Sequence, residues 1–143
     1  MKDMDEKFFL CVEIGGTNLR YGVVTKNYIL KQFEKIPSKG LSDAKNKGEY
    51  LKQLLDPVLE EHGGVSNFRC ISLSLASLMD RDRTICYNSP NIRGFDNLPL
   101  KEILERLWGL PVVMERDVNT SLLYDLWKNH MGQEGIVIGV YIG

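Results

Sequence analysis

Residues 8–18 read Phe8-Phe9-Leu10-Cys11-Val12-Glu13-Ile14-Gly15-Gly16-Thr17-Asn18, and this stretch decides the fold class. Up to Ile14 it is a nearly continuous run of apolar, β-branched and aromatic side chains, stopped by a glycine pair. That is the pattern of a strand buried on both faces. Downstream, Leu19 to Val24 and Tyr28 to Ile36 read as two further strands joined by a tight turn at Thr25-Lys26-Asn27, so a β-meander opens the chain. Pro37 to Lys47 is polar and reads as loop. Tyr50, Leu51, Leu54, Leu55, Val58 and Leu59 then recur at three- and four-residue spacing, which predicts a helix with one apolar face. Pro57 is expected to kink that helix or split it after Leu55.

Beyond Gly63-Gly64, Phe68 to Ala76 is a second apolar run of the buried-strand type. Thr84 to Tyr87 predicts a short strand, and Asn88 to Asn97 is loop-forming. Pro99 suits the first turn of a helix carrying Leu100, Ile103, Leu104, Leu107 and Trp108, closed by Gly109. Pro111 to Met114 reads as a strand and Asp117 to His130 as a helix with Leu122, Leu123, Leu126 and Trp127 on one face. Both tryptophans are expected in the core. Ile136 to Ile142 completes the series as a last strand. Strands alternating with helices after a meander give an α/β fold with a mixed central sheet. A buried-type strand running to Gly143 is what a fold interrupted partway would show.

With 43% hydrophobic and 26% charged residues, the composition excludes disorder, collagen and coiled coil. Eighteen basic against 19 acidic residues leave a net charge of -1, which argues against a nucleic-acid partner. No apolar run reaches the roughly 20 residues that span a bilayer, so no membrane partner is expected. The opening Met1 to Lys7 carries no signal-peptide pattern, and the cytoplasm is the expected location. Cys11, Cys70 and Cys86 stand singly and read as free buried thiols. His62 and His130 lie far apart near helix ends, where a metal or triad role is not expected. Asp80-Arg81-Asp82-Arg83 alternates in sign, as a solvated turn does.

Three segments could carry chemistry. In Glu13 to Asn18, glycines allow backbone N–H groups to approach an anion, Thr17 and Asn18 can donate to phosphate oxygens, and Glu13 could hold Mg²⁺ through water. The same residues also suit a plain hairpin turn, with Glu13 at its rim. Glu115-Arg116-Asp117-Val118-Asn119 follows a strand and opens a helix, the place where ligands bind in open α/β sheets. Asp117 there could accept a proton from a substrate hydroxyl, or serve only as a helix N-cap. Ala76-Ser77 through Asn88-Ser89-Pro90-Asn91 offers small and amide side chains that suit a polyhydroxylated ligand, or simply a loop of turn formers.

Taken together, in this order and spacing, these segments resemble the N-terminal half of the ROK family of sugar kinases, within the actin-like ATPase and hexokinase superfamily. Glu13 to Asn18 is similar to the family's DxGGT phosphate loop, and Asn88 to Asn91 with Gly94-Phe95 to its N-x-P-N-x-x-G-[WF] segment. Leu110 to Asn119 is similar to the G-L-P-V-x-x-[E]-N-D-A-N signature. Gly139 to Gly143 looks like the opening of a second phosphate loop. The resemblance implies a ribonuclease-H-like lobe with a mixed five-stranded central sheet, and ATP-dependent phosphorylation of a sugar hydroxyl, with ATP, Mg²⁺ and a sugar as ligands and a homodimer as a candidate assembly. It makes Asp117 the general base and Gly15, Gly16, Thr17, Asn18 and Gly143 the phosphate-binding residues. Ser77, Asn91 and Arg116 would line the sugar pocket, and Glu13 would stand near the magnesium.

The departures from the pattern are specific. Glu13 replaces an aspartate, adding a methylene, and Ala76-Ser77 replaces Pro-Gly. Arg116 stands where most members place an asparagine; it supplies more donors but no acceptor, so hydroxyl selection should change. Arg-Asp-Val-Asn, with a strand ending Tyr-Ile-Gly, looks most like the allose kinases, which implies an aldohexose such as allose. Family members run to roughly twice this length, with an adenosine site, a zinc cluster and the rest of the sugar pocket in the second half. The expectation is an N-terminal lobe over residues 1–143, the C-terminal lobe absent from the chain, and no turnover by the lobe alone. A non-catalytic carbohydrate-binding lobe is the alternative. Repression is the weakest reading, because Met1 to Lys7 leaves no room for a helix-turn-helix.

Overall fold

The computed structural model describes residues 7–131 and 135–141. Strand β1 (Phe8–Ile14) pairs antiparallel with β2 (Asn18–Val24), and β2 with β3 (Leu30–Pro37). The reversal after β2 is held by Thr25, whose carbonyl accepts from Tyr28 N at 3.0 Å, with Tyr28 in the left-handed region at φ 62°. The expected loop that follows contains a short helix, α1 (Lys39–Asp43), with Leu41 buried beneath it. Helix α2 (Lys47–Glu61) starts at Asn46, whose side chain accepts from Glu49 N at 3.0 Å. It runs through Pro57 without a break. Pro57 and Gln53, whose carbonyl loses its partner to the proline, both face solvent, where water can take the missing bond. Gly63 and Gly64, at φ 89° and 86°, then end the helix, and Gly64 N bonds back to Leu59 O at 2.8 Å.

After a 3-10 turn at Val65–Asn67, β4 (Phe68–Leu75) lies parallel to β1. A small hairpin of β5 (Leu78–Met79) and β6 (Cys86–Asn88) follows, and the sequence shows only its second strand. Helix α3 (Leu100–Trp108) is closed by Gly109 in the left-handed conformation at φ 65°. Strand β7 (Val112–Arg116) joins β4 in parallel, and α4 (Asp117–Lys128) leaves its end. The sheet order β3-β2-β1-β4-β7 is the expected mixed five-stranded sheet.

The core lies on one side of this sheet. Leu10, Val12, Ile14, Ile71, Leu73, Leu75, Val112 and Met114 face Leu51, Leu55 and Leu59 of α2 and Leu104 and Trp108 of α3, all buried. β1 and β4 are therefore buried on one face and only partly covered on the other, where Cys11, Glu13, Ser72 and Ser74 lie. This corrects the expectation of strands buried on both faces. It also places Cys11 and Cys70 as half-buried thiols, with only Cys86 fully buried; all three are free, and burial pushes each thiol up.

The tryptophans diverge. Trp108 is 7% exposed and donates Nε1 to Asp56 Oδ1 at 2.7 Å, whereas Trp127 is 53% exposed, its ring tilted against those of Tyr28 and Tyr124. Helix α4 has no buried residue, because only its inner edge meets the sheet. Residues 136–141 form no strand: they find no partner edge among the described residues, and Ile136 is 93% exposed. Ile142 and Gly143 lie outside the described residues. No helix is long and apolar enough to cross a membrane among the described residues.

Candidate active site

The three parallel strands β1, β4 and β7 end on the same side of the sheet, and the residues that follow each of them form the site. After β1, Gly15 N bonds to Asn18 O at 3.0 Å, closing a tight turn whose outer residues Gly16 and Thr17 are exposed. The turn is a hairpin turn and a candidate anion loop at once. Ser38, fully buried, locks it: Oγ donates to Gly15 O at 2.7 Å, and Ser38 N donates to Thr17 O at 2.9 Å. Nothing in the sequence around Ser38 signals this role.

Glu13 receives Arg20 Nη1 at 2.7 Å from the neighbouring strand. One carboxylate oxygen is thereby engaged and the other remains open to a cleft of about 700 Å³ lined by Ser74, Asp117, Thr120, Ser121 and Tyr141 among others. Three carboxylates, Glu13, Asp117 and Asp125, rim this cleft, the hard oxygen chemistry that a hydrated Mg²⁺ accepts. Tyr141 reaches it as well, its hydroxyl donating to Val118 O at 2.9 Å.

Asp117 begins α4 one residue inside the helix; Arg116 occupies the cap position with extended backbone. The structure thus replaces the N-cap reading of Asp117 with a first-turn position, where helix N–H groups favour negative charge. Asp117 Oδ1 accepts from Val118 N at 2.8 Å, leaving the second oxygen available. A second cleft of about 260 Å³ is lined by Ala76, Ser77, Leu78, Asn88, Pro90, Asn91, Arg116 and Asp117. It brings together four of the expected residues, and Asp117 borders both clefts. Ser77 is buried with its hydroxyl turned inward, 2.6 Å from Ser89 Oγ and 3.0 Å from Leu78 O, so it shapes this wall from within.

The loop carrying Asn91 rests on two supports that the sequence reading did not single out. Asp96 Oδ1 accepts from Ser89 N at 2.8 Å. Lys47, at the start of α2, donates Nζ to the carbonyls of Leu41, Ser42 and Ala44 at 2.9, 2.7 and 2.8 Å, and its stem packs against Gly94. Desolvation pushes the Lys47 ammonium below its ordinary value.

Glu115, just before Asp117, collects three donors: Arg116 N at 2.9 Å, Asn119 Nδ2 at 2.9 Å and Arg83 Nε at 2.8 Å. Burial pushes its carboxyl up, but these hydrogen bonds and the Arg83 charge outweigh it and hold the group below its ordinary value. His62 packs edge-on against Phe8 at 5.2 Å between ring centroids, and its Nε2 lies 3.0 Å from Gln32 Oε1. Among the described residues no three His, Cys, Asp or Glu side chains cluster as metal ligands.

Residues 9–143 match the sequence model of the ROK family. A glucokinase from Halalkalibacterium halodurans is 28% identical over 127 residues, covering 87% of this chain and 38% of the relative. A beta-glucoside kinase from Listeria monocytogenes is 33% identical over 115 residues, 80% of this chain and 36% of the relative. Among solved structures, the ROK hexokinase from Thermus thermophilus superposes with a TM-score of 0.69 at 25% identity, over 83% of this chain and 38% of that one. The chain spans less than half the length of these relatives.

Proposed function

The chain belongs to the ROK family, and from that premise we propose that it is the N-terminal lobe of an ATP-dependent sugar kinase acting on an aldohexose in the cytoplasm. The observation that carries this reading is the position of Asp117 on both clefts, at the end of β7. Transfer of the γ-phosphoryl group needs an acceptor hydroxyl and a nucleotide on either side of one base. Here Asp117 takes the proton from the sugar hydroxyl as its oxygen attacks the γ-phosphorus, and the bond to the leaving β-phosphate oxygen breaks, releasing ADP.

Gly15, Gly16, Thr17 and Asn18 supply backbone and side-chain donors to the phosphates, and the resemblance of Gly139 to Gly143 to the opening of a second phosphate loop adds Gly143, which lies outside the described residues, to that set. Glu13 would hold a hydrated Mg²⁺, which would neutralise phosphate charge. Asn91 and Arg116 orient the sugar. Arg116 offers donors only, so the hydroxyls it meets must accept, which separates this pocket from one carrying an amide there. The Arg116-Asp117-Val118-Asn119 sequence supports allose as the first candidate.

The test is ADP release by the purified protein with ATP and Mg²⁺ across allose, glucose, mannose and N-acetylmannosamine. Transfer to one or more hexoses by the full-length protein, and none by residues 1–143 alone, is the expected result. Saturable, stereoselective sugar binding by a full-length protein that never turns over would favour a non-catalytic carbohydrate-binding lobe instead.

A further inference from the structure

The Asp80-to-Arg83 segment, which reads from sequence as a solvated turn, is built. Asp80 Oδ1 accepts from Thr84 N at 2.6 Å and Ile85 N at 2.8 Å, and its Oδ2 accepts from Thr84 Oγ1 at 2.7 Å. Arg83 N donates to Asp80 O at 3.1 Å, and Arg83 itself sits in the left-handed region at φ 55°, a conformation that non-glycine residues seldom adopt. The tip of the β5–β6 hairpin is therefore folded around Asp80 so that the Arg83 side chain leaves it toward Glu115.

The two ends of this contact belong to two segments that both line the smaller cleft. The hairpin supplies Leu78 and Asn88 to its lining, and the end of β7 supplies Arg116 and Asp117. Glu115 meets Arg83 through Oε2 and uses Oε1 to hold the Arg116 backbone N–H and the Asn119 side chain. Arg83 is thus joined through one carboxylate to the backbone that carries Asp117.

We propose that Arg83 and Glu115 form a clasp that sets the width of the sugar cleft and the orientation of Asp117, making both positioning residues for phosphoryl transfer. This rests on the kinase reading for its consequence and on the geometry alone for its existence. Arg83 is half exposed, so the pair adds little to global stability. A positioning role and a merely stabilising one therefore separate in experiment.

The experiment compares wild type, Arg83→Met and Arg83→Lys in the full-length protein by hexose kinetics at low and high KCl, thermal melting, and exchange of the Arg116 backbone amide and Asn119 side-chain amide. For Arg83→Met the expected result is a kcat lowered about five- to twentyfold, roughly 1–1.8 kcal/mol of lost transition-state stabilisation, with hexose KM changed less than about threefold and little change in Tm. Arg83→Lys recovers part of the loss. High salt lowers kcat in wild type toward the Arg83→Met value and leaves the variant unchanged. Both amides exchange at least about threefold faster in Arg83→Met, since the Glu115 carboxylate that accepts from each is no longer held by Arg83. Equal kcat in all three proteins, or unchanged exchange at the two amides, overturns the proposal. If wild type transfers no phosphoryl group to any hexose, the kinase reading fails, and the exchange rates alone decide whether the clasp exists.

Discussion

Gly16 and Asn91 touch more closely than any side chain on Gly16 would permit: a Cβ there would lie 2.9 Å from Asn91 Cβ and 3.0 Å from its carbonyl oxygen. The turn that leaves β1 and the loop that lines the smaller cleft are thereby one assembled surface, though nothing in the chain links them locally. Gly16→Ala should cost about 1–3 kcal/mol, because the obstruction is largely backbone and cannot swing aside. Gly15→Ala, whose Cβ would meet only Asn18 O at 3.2 Å, should cost less. Urea denaturation of the two variants orders them; a Gly16→Ala midpoint equal to wild type would show that the Asn91 loop moves freely.

Asp117→Asn should lower kcat by at least about two orders of magnitude in the full-length protein, with hexose affinity nearly unchanged, because the amide keeps the shape and loses the base. Steady-state kinetics with calorimetric sugar binding read the two quantities separately. Turnover near the wild-type rate would require another base at the junction of the clefts.

Lys47→Met should destabilise the lobe by about 2 kcal/mol, since three carbonyls at the end of α1 lose a charged donor in a site that water barely reaches. Sugar binding should weaken with it, because the Lys47 stem packs on Gly94 beside the Asn91 loop. Chemical denaturation at neutral pH gives the first number and sugar titration the second.

Glu115 sets a pH dependence whose sign follows from its environment. Its carboxyl is held below the ordinary 4.5 in the folded protein, so its contribution to stability is complete above about that pH and is lost as pH falls through the folded value. The stability difference between wild type and Glu115→Gln should therefore be largest near neutrality and shrink in acid. Denaturation midpoints measured from pH 7 down to pH 3 trace it; a difference that grows on acidification would reverse the assignment.

The tryptophans offer a paired test of burial. Trp108→Ala removes a buried ring and its bond to Asp56 and should cost about 3–5 kcal/mol, whereas Trp127→Ala, at an exposed site with aromatic neighbours, should cost at most about 1 kcal/mol. Equal losses would mean that the outer side of α4 is covered in solution.

That pair also shows which parts of the molecule are legible in the sequence. Phe8 to Ile14 ending in a glycine pair, the Gly109 stop after α3 and the Arg116-Asp117 junction carry their local causes with them, and each is found where the spacing puts it. The burial of Trp127 and the pairing of Ile136 to Tyr141 depend instead on what packs over the second face of the sheet, which no local pattern encodes. Pro57 misled because the cost of proline in a helix depends on whether the freed carbonyl meets water. The pairing of Arg83 with Glu115 is not legible in the sequence because it depends on the path of a hairpin between them, and charged residues in alternation look alike whether solvated or paired.

The one-sided core has a consequence for how such a lobe is made in a cell. Chains emerge from the ribosome N-terminus first and domains fold as units while synthesis continues, and here the sheet can close over α2 and α3 with its other face still holding Cys11, Leu30, Phe33 and Val113 half-covered or exposed. In relatives more than twice as long, that interval would be the stage most open to misassociation and most in need of a chaperone. Codon choice just downstream of α4, which sets how long the ribosome lingers there, should then alter soluble yield more than the same change placed before β1.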